Sequence, residues 1–481
     1  MDHPDRPLPS EVHETHVSTL FFFGDSVAKV RKPVRFGFAD FSDLESRRID
    51  CEREVALNRR LAPDVYRGTT TTTLEGEVLE HAVLMRRLPA DRNLGHLVRS
   101  GAPVATELRR IAAVLADFHH RADRSPAISA AAAPGALLAR WKATSREASP
   151  FIGTILHPSL QEQIDDLAAR YLAGREGLLA GRVAAGHVCD GHGDLLADDI
   201  FCLSDGPRIL DCLEFDDALR YGDVLADLGF LAMDLEHLGA PEAARQVLEH
   251  YEELSGSRIP HSLIHFYMAA RAQVRMLVAC LRAEQDPGSE EEAARSLERL
   301  CLHHLRQGRV RVVLVGGLPG TGKSTLAADL GHVLPAQVLS TDRIRREMGA
   351  ALGGDRYRPD AKEAVYDALL SRARTCLGMG ESVVLDASWI DAAARERAGE
   401  LARSTGSELQ ELRCRCEPEI ARERIERRMR RGGADSEATV VVAALMAEEA
   451  DPWPSAVVVD TSGPKGDGLR HARAALDPPA P

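Results

Sequence analysis

Hydrophobic and polar positions at the start of the chain predict short strands around one helix. Two apolar runs, residues 17–23 and 26–30, flank Gly24-Asp25, a dipeptide that favours a tight hairpin turn. From residue 43 to residue 61 the apolar spacing becomes helical, and residues 81–85 form another short apolar run. We therefore expect two paired strands, a helix and a further strand. The threonine-rich stretch between the helix and the last strand is expected to be a strand end or a loop.

The pattern from residue 93 to residue 305 is mainly helical. Residues 108–119 have amphipathic spacing, and residues 222–283 are rich in helical patterns. Two short apolar runs near residues 200 and 210 predict a pair of strands within this helical region. Residues 306–309, which include two arginines, are predicted to form a linker.

The pattern changes again from Val310 onward. Residues 312–315 form a continuous apolar strand, followed by a glycine-rich loop and a helix that begins at Lys323. Apolar strands at residues 337–339 and 382–385 alternate with helical segments, which is typical of a parallel sheet. The sequence therefore predicts an α/β domain over residues 306–481.

Composition narrows the class of protein. The net charge is −13, and residues 306–481 carry 26 basic and 26 acidic side chains, so the acidic excess lies in residues 1–305. That excess could attract a cationic substrate or could simply aid solubility. Aromatic residues make up only 5% of the chain, which together with the negative charge argues against a nucleic-acid partner. The nine cysteines form no CxxC pair, and we expect a cytoplasmic protein without a membrane span.

The glycine-rich loop has the chemistry of a phosphate cradle. Its sequence, Gly317-Leu-Pro-Gly-Thr-Gly322-Lys323-Ser324, fits GxxxxGK[ST], in which backbone N–H groups surround the phosphates at a helix N-terminus. Lysine is rare here, with six among 60 basic residues, so Lys323 at this position favours binding of the β- and γ-phosphates of ATP or GTP. The predicted nucleotide-binding residues are Gly317, Gly320, Thr321, Gly322, Lys323, Ser324 and Thr325, and Ser324 is also a predicted ligand of Mg²⁺.

The residues after the next strand resemble the polynucleotide-kinase-like group of P-loop kinases. In Ser340-Thr341-Asp342-Arg343-Ile344-Arg345, the resemblance implies that Asp342 accepts the proton of an acceptor hydroxyl and that Arg345 binds an anionic group. Asp342 could instead cap the following helix. Asp386, at the end of a later apolar strand, is expected to be a metal ligand or to contact the acceptor.

An arginine-rich helix is predicted at residues 418–431, before Gly432-Gly433. The same kinase group places arginines on such a lid, where they stabilise the charge on the transferred phosphoryl group. The resemblance implies this catalytic role for Arg427 and Arg431, although a solvated surface helix has the same composition.

The first module carries a second set of phosphotransfer motifs. Gly191-His192-Gly193-Asp194-Leu195, with Asp199 and Asp211 downstream, resembles the catalytic loop of aminoglycoside phosphotransferases and choline-kinase-like enzymes, a branch of the protein-kinase-like fold. The resemblance implies that Asp194 holds the acceptor hydroxyl and that Asp199 and Asp211 bind Mg²⁺. The family has Asn where this chain has Asp199, and the extra negative charge puts activity in doubt more than fold.

Upstream residues complete this resemblance. Lys29 matches the strand lysine that contacts the α- and β-phosphates, with Lys32 as a competitor. Its expected ion-pair partner is Glu54, and Glu52 is the alternative. Residues 14–18 occupy the place of a phosphate loop without a glycine motif, and Asp227 is expected to brace the catalytic loop.

Both halves together resemble bacterial two-domain proteins that join an aminoglycoside-phosphotransferase-like module to a polynucleotide-kinase-like P-loop domain. The implied fold class is an α+β bilobal kinase-like module, with lobes at residues 1–92 and 93–305, followed by the α/β domain at 306–481. The expected function is a bifunctional phosphotransferase that uses ATP and Mg²⁺ on small hydroxylated acceptors, an amino sugar or aminoglycoside-like compound for the first half. A regulatory ATP sensor and a nucleic-acid end kinase remain alternatives, and the oligomeric state is not predicted.

Overall fold

A computed structural model describes residues 9–15, 17–35, 40–74, 77–286, 288, 290–349, 358–430 and 439–476. The chain forms two compact units that interleave along the sequence. Unit 1 comprises Met1–Glu162, Gly181–Ile259 and Ile264–His304, and unit 2 comprises Gln163–Ala180, Pro260–Leu263 and Leu305–Pro481. Within the described residues, no helix is both long and apolar enough to cross a membrane.

Unit 1 begins with an antiparallel sheet in the order β1-β2-β3-β5-β4. Its strands are β1 (Glu11–Glu14), β2 (Ser18–Phe23), β3 (Ser26–Arg31), β4 (Tyr66–Leu74) and β5 (Glu77–Arg86), and helix α1 (Leu44–Asn58) packs on β4 and β5. The predicted hairpin forms, because Phe23 pairs with Ser26 across a two-residue turn in which Gly24 has φ of 57°. Residues 69–73 lie within β4, where β-branched threonines fit a pleated strand.

The rest of unit 1 is mainly helical and surrounds two short strand pairs. The helices are α2 (Leu94–Arg99), α3 (Ala105–Arg121), α4 (Pro126–Ala130), α5 (Pro134–Ala148), α6 (Pro158–Ala173), α7 (Glu176–Ala184), α8 (Asp217–Arg220), α9 (Val224–His237), α10 (Pro241–Ser255), α11 (His261–Gln285) and α12 (Glu291–Gln307), of which α6, α7, α11 and α12 extend into unit 2. The strand pairs are β6 (Val188–Asp190) with β9 (Tyr221–Asp223) and β7 (Ile200–Leu203) with β8 (Gly206–Ile209). Helix α9 is buried along most of its length and forms the centre of this lobe. Because α12 continues to Gln307, the predicted linker is partly helical.

Unit 2 contains a five-stranded parallel sheet in the order β11-β12-β10-β13-β14, and the predicted α/β fold is confirmed. Its strands are β10 (Arg311–Gly316), β11 (Ala336–Ser340), β12 (Ser382–Asp386), β13 (Glu408–Arg415) and β14 (Val457–Asp460). Its helices are α13 (Lys323–Val333), α14 (Thr341–Met348), α15 (Pro359–Gly378), α16 (Ala392–Ser404), α17 (Pro418–Arg430), α18 (Val440–Glu448) and α19 (Lys465–Leu476). Residues 312–315 of β10 are fully buried, as expected for a central strand covered on both faces.

Arg175 is a fully buried arginine within unit 2, between α6 and α7. Its guanidinium donates hydrogen bonds to the backbone carbonyls of Leu377 and Thr405, the latter at 3.1 Å, and lies over the ring of Tyr171. Burial lowers the pKa of Arg175. Two carbonyl groups at the ends of α15 and α16 thus depend on a side chain that precedes the P-loop sequence by more than a hundred residues.

We expect Arg175→Ala to lower the free energy of unfolding of unit 2 by roughly 2–4 kcal/mol, because the buried carbonyls lose their donor. Arg170→Ala, an exposed arginine on the same segment, is the matched control and should change it by less than about 0.5 kcal/mol. Calorimetric unfolding of the full chain measures both. Equal destabilisation by the two variants would show that Arg175 contributes no more to the free energy of unfolding than an exposed arginine does.

Candidate active sites

The catalytic-loop segment 191–199 of unit 1 is held by Asp227 of α9. The Asp227 carboxylate accepts hydrogen bonds from the backbone N–H of His192 at 2.7 Å and of Gly193 at 2.9 Å, and from Nε2 of His119 at 3.2 Å. Burial raises the pKa of Asp227, but these contacts, led by His119, hold it well below its usual value. A Cβ at Gly191 would lie 2.5 Å from an Asp227 oxygen, so only glycine fits there. Asp227 therefore braces the loop, as expected.

His192 is fully buried beneath the loop and is neutral. Its Nε2–H donates to the carbonyl of Leu210 at 3.0 Å, and its Nδ1 accepts from the backbone N–H of Asp194 at 3.4 Å. Burial lowers the pKa of His192, which agrees with a ring that donates at one nitrogen and accepts at the other. This histidine fixes the backbone at Asp194 and joins the loop to the end of β8.

Three carboxylates, Asp194, Asp199 and Asp211, line one cleft beside this loop. Burial and the neighbouring Asp211 and Asp194 raise the pKa of Asp199 well above its ordinary value. Burial also raises the pKa of Asp194 to about 6, against the opposing effect of Arg275. Asp211 differs, because the ammonium group of Lys29 lowers its pKa to about 2. The cleft therefore concentrates negative charge. Of the three carboxylates, Asp211 is the one that pairs with Lys29.

A divalent cation fits this arrangement. Carboxylate oxygens are the hard ligands that Mg²⁺ prefers, and a cation between Asp199 and Asp211 would relieve their repulsion. The backbone of Asp211 has φ of 60°, in the left-handed region that side chains rarely adopt, and its N–H donates to the Tyr66 hydroxyl at 3.3 Å. This strained conformation directs the carboxylate toward Lys29.

Lys29 joins the two lobes of unit 1 at the cleft. Its Nζ lies 2.8 Å from Oε1 of Glu54 and 2.8 Å from Oδ1 of Asp211. The alternatives raised by the sequence are occupied elsewhere: Glu52 pairs with Arg48, and Lys32 pairs with Glu14 near the surface. Lys29 thus forms two ion pairs that connect Glu54 of α1 to Asp211 after β8.

Sequence reasoning missed a second cation in this network, Arg31. Two positions after Lys29 and on the same face of β3, it is buried and pairs with Asp50 at 2.6 Å, with Glu54 at 2.9 Å and with Glu214. The three carboxylates Asp50, Glu54 and Glu214 lie close enough to hold a metal, but Arg31 already pairs with each of them. We therefore interpret this cluster as structural. The period-two spacing of Lys29 and Arg31 is the signal that could have found it.

Residues 14–18, the expected phosphate-loop position, form a tight connection between β1 and β2. The Thr15 N–H donates to the carbonyl of Ser18 at 2.8 Å, and the Ser18 N–H donates to the Thr15 hydroxyl at 3.0 Å. His16 lies outside the described residues.

The P-loop of unit 2 connects β10 to the start of α13. Gly320 and Gly322 have φ of 84° and 85°, and a Cβ at Gly320 would lie 2.5 Å from the carbonyl of Ala421. Gly322 is the N-cap of α13, so Lys323, Ser324 and Thr325 form its first turn. The loop therefore presents backbone N–H groups and Lys323 at a helix N-terminus, the geometry that binds phosphate.

Asp386 ends β12 beside this loop. Parallel pairing aligns it with Val315 at the end of β10 and with Ser340 at the end of β11. Burial raises the pKa of Asp386, and nearby Lys323 opposes that shift. In the described part of the chain, its buried Oδ1 has no hydrogen-bond partner. An orphaned carboxylate oxygen near Ser324 fits a Mg²⁺ ligand.

Asp342 and Arg345 lie together on the first turns of α14. Nη1 of Arg345 is 2.9 Å from Oδ1 of Asp342. The helix begins at Thr341 with Ser340 as its N-cap, so the alternative role of Asp342 as the helix cap does not apply. Both side chains follow β11, whose carboxyl end lies at the same sheet edge as the P-loop.

The arginine of α17 that reaches the P-loop is Arg424. Its guanidinium donates to the carbonyl of Thr461 at 2.8 Å and to that of Gly320 at 3.4 Å. Arg427, expected on the lid, is exposed to solvent, and Arg431 lies outside the described residues. Sequence reasoning selected arginines by their distance from the glycine pair, and Arg424 lies further from it.

A cavity of about 140 Å³ lies next to the first turn of α13. Its lining residues are Gly322, Thr325, Leu326, Asp329, Arg424, Thr461, Gly463, Pro464, Lys465 and Gly468. The loop after β14 had no motif and was not predicted to take part. Its lining residues place that loop beside Gly322 and Thr325 of the P-loop.

Two models of known protein families match this chain. Residues 41–263 match the model of the phosphotransferase enzyme family, and residues 312–452 match an AAA domain model. An uncharacterized protein of Mycobacterium tuberculosis is 39% identical over 484 residues, covering 98% of this chain and 96% of that protein. The chain belongs to its family. The two matched regions of this chain are a kinase-like phosphotransferase and a P-loop kinase-like domain, and the chain is an ATP-dependent kinase.

Two solved structures each align with part of this chain. A choline/ethanolamine kinase family protein from Mesorhizobium loti is 14% identical with a TM-score of 0.39, covering 62% of this chain and 91% of its own. A gluconokinase from Sinorhizobium meliloti is 21% identical with a TM-score of 0.25, covering 35% of this chain and 91% of its own.

We expect Lys323→Ala to remove one equivalent of bound Mg·ATP from the full chain, because the loop loses the charge that faces the phosphates. Lys362→Ala, on α15, is the matched control and should bind like the wild type. Isothermal titration calorimetry gives both stoichiometries. Unchanged stoichiometry and affinity in Lys323→Ala would remove the P-loop assignment.

We expect Asp199→Asn to raise the melting temperature near pH 7.5 in magnesium-free buffer. The pKa of Asp199 is raised in the folded state, so the unfolded chain ionises first and stability falls as the pH rises above the unfolded value. The gain should therefore disappear near pH 3.5, where both states are protonated.

The control for this experiment is Asp198→Asn, an exposed neighbour that pairs with Arg99. It should not raise the melting temperature at either pH. A lower melting temperature of Asp199→Asn at neutral pH would show that repulsion from the neighbouring carboxylates does not destabilise the protein at Asp199.

Proposed function

We propose that the protein is a bifunctional phosphotransferase, in which each module transfers the γ-phosphoryl group of ATP to a hydroxyl group of a small molecule. The observation that carries this proposal is the convergence of Lys29, Asp194, Asp199 and Asp211 on one cleft, with a separate P-loop site in unit 2.

In the first module, the proposed roles divide between phosphate, metal and acceptor. Lys29, held by Glu54, contacts the nucleotide phosphates, and Asp199 with Asp211 holds Mg²⁺. Asp194 orients the acceptor hydroxyl and accepts its proton, for which a pKa near 6 suits a base at neutral pH. Magnesium would neutralise charge on the phosphates when bound.

In the second module, Lys323 and the loop backbone hold the phosphates, and Ser324 with Asp386 provides oxygen ligands for Mg²⁺. Asp342 accepts the proton of the second acceptor, and Arg345 binds its anionic group. Arg427 and Arg431 remain proposed lid residues, and the contacts of Arg424 make it a further candidate. The proposed nucleotide contacts also include Gly317, Gly320, Thr321, Gly322 and Thr325.

The proposed modules are residues 1–92 and 93–305 for the two kinase lobes and 306–481 for the P-loop domain, and the proposed location is the cytoplasm. The acidic balance of residues 1–305 favours an amino sugar or aminoglycoside-like acceptor. Net charge of a whole module is a weak guide to one pocket, so an acceptor panel needs cationic, neutral and anionic hydroxyl compounds.

A second candidate function is an ATP sensor in the first module. The observation in its favour is Asp199, since a third carboxylate raises the negative charge next to the phosphates and would slow transfer. In that case the module would bind Mg·ATP tightly without using an acceptor.

We expect Asp194→Asn and Asp342→Asn each to reduce acceptor-dependent ADP release at its own module by roughly 10²–10⁴-fold, with ATP binding nearly unchanged. The measurement is ADP release by the full chain with the acceptor panel. Asp198→Asn and Asp360→Asn are the surface controls.

Stimulation that survives both substitutions would contradict the assigned bases. The sensor function would be favoured if the first module binds ATP tightly and no acceptor in the panel stimulates its ADP release, in the wild type or in Asp194→Asn.

A further inference from the structure

Two arginines lie on one face of α11, where this helix packs against α9. The helices approach closely at Gly229, because a Cβ there would lie 3.0 Å from Cβ of Tyr267. One turn further along α11, Cζ of Arg271 lies 4.9 Å from the ring centre of Phe230. Arg275 follows Arg271 by four residues and therefore shares its face.

This face of α11 is adjacent to the catalytic loop, because α9 contacts both the loop and α11. Asp234 of α9 accepts a hydrogen bond from the backbone N–H of Ala197 at 2.8 Å, and it lines a cavity of about 50 Å³ together with Arg275. Arg275 and Arg271 are both close enough to Asp194 to oppose the rise in its pKa. The two guanidinium groups therefore lie near Asp194, the carboxylate proposed to orient the acceptor.

Neither guanidinium has a hydrogen bond or an ion pair to any residue that the structure describes. Burial lowers the pKa of Arg271, and Arg271 in turn helps burial to lower the pKa of Arg140. Arg271 and Arg140 are thus like charges in a partly buried site, and Asp194 and Asp227 offset the charge of Arg271 only from beyond hydrogen-bond distance. Such charge is unfavourable unless an anion balances it, and the planar guanidinium groups suit a carboxylate or a phosphate.

We propose that the acceptor of the first module carries an oxyanion, a carboxylate or a phosphate monoester, which Arg271 and Arg275 bind while Asp194 orients its hydroxyl group. The acceptor oxygen forms a bond to the γ-phosphorus, the bond from that phosphorus to the oxygen of ADP breaks, and the hydroxyl proton passes to Asp194. This inference rests on the proposed phosphotransferase function of the module. It replaces the amino-sugar expectation, because two guanidinium groups repel a polycationic acceptor.

The activity test uses the full chain carrying Lys323→Ala, so that ADP release comes from the first module. Sugar acids, sugar monophosphates, neutral sugars and aminoglycosides are compared as acceptors. We expect stimulation by an acid or a monophosphate, and which of the two works distinguishes the source of the oxyanion. Arg271→Gln and Arg275→Gln should each raise KM for that acceptor by about 10- to 100-fold, whereas the exposed Arg245→Gln should not. Stimulation by neutral or cationic acceptors alone overturns the inference.

A binding test decides the matter even if no compound in the panel is the true acceptor. With both nucleotide sites saturated by the non-hydrolysable analogue Mg·AMPPNP, inorganic phosphate is titrated and the melting temperature is followed. The wild type and Arg245→Gln should gain stability that Arg271→Gln and Arg275→Gln lack.

Without phosphate, the two glutamine variants should melt close to the wild-type temperature, because neither guanidinium makes a hydrogen bond or ion pair with a described residue, whereas loss of a structural arginine would lower it. An equal phosphate response in all four proteins overturns the inference. Failure of the first module to bind AMPPNP would instead count against the proposed function.

Discussion

Repulsion between carboxylates at the phosphate-binding cleft is the constraint on which unit 1 depends. Asp194, Asp199 and Asp211 are close enough to shift one another's pKa, so the chain must hold them in place without neutralising them all. It does so by fixing backbone: Asp227 holds the loop N–H groups and a neutral His192 joins the loop to β8. Lys29 pairs with Asp211, whereas burial and neighbouring carboxylates raise the pKa of Asp194 and Asp199.

Unit 2 reaches a similar balance on an unrelated fold. The ends of three parallel strands bring a buried carboxylate, Asp386, to the loop that presents Lys323. In both units one lysine lies beside a carboxylate that follows a strand, although the first strand is antiparallel and the second is parallel. Both sites place fixed positive charge and hard oxygen ligands in the same small volume, as the proposed polyphosphate and its metal would require.

Local motifs made much of this predictable from the sequence. The glycine spacing of the P-loop, the carboxylates at 194, 199 and 211, and the hairpin at Gly24-Asp25 are each encoded within one short stretch of the sequence. Arg31, Arg175, Arg271 and Arg424 were not predicted, because each acts on partners distant in sequence and sits in an ordinary helix or strand pattern. The linker was predicted to begin at residue 306, but α12 continues to Gln307. The reason is related, since an amphipathic helix can continue through arginines whose stems cover apolar surface.

The burial of Arg175 has an evolutionary consequence. A P-loop domain appended to a kinase by a simple linker can be lost, exchanged or duplicated by a cut at that linker. Here the carbonyl groups of Leu377 and Thr405 depend on a residue encoded within the kinase half of the gene. A recombination event near residue 306 would separate them from it, so selection should transmit the two modules together, and a descendant that retained only one would need to replace that lost donor.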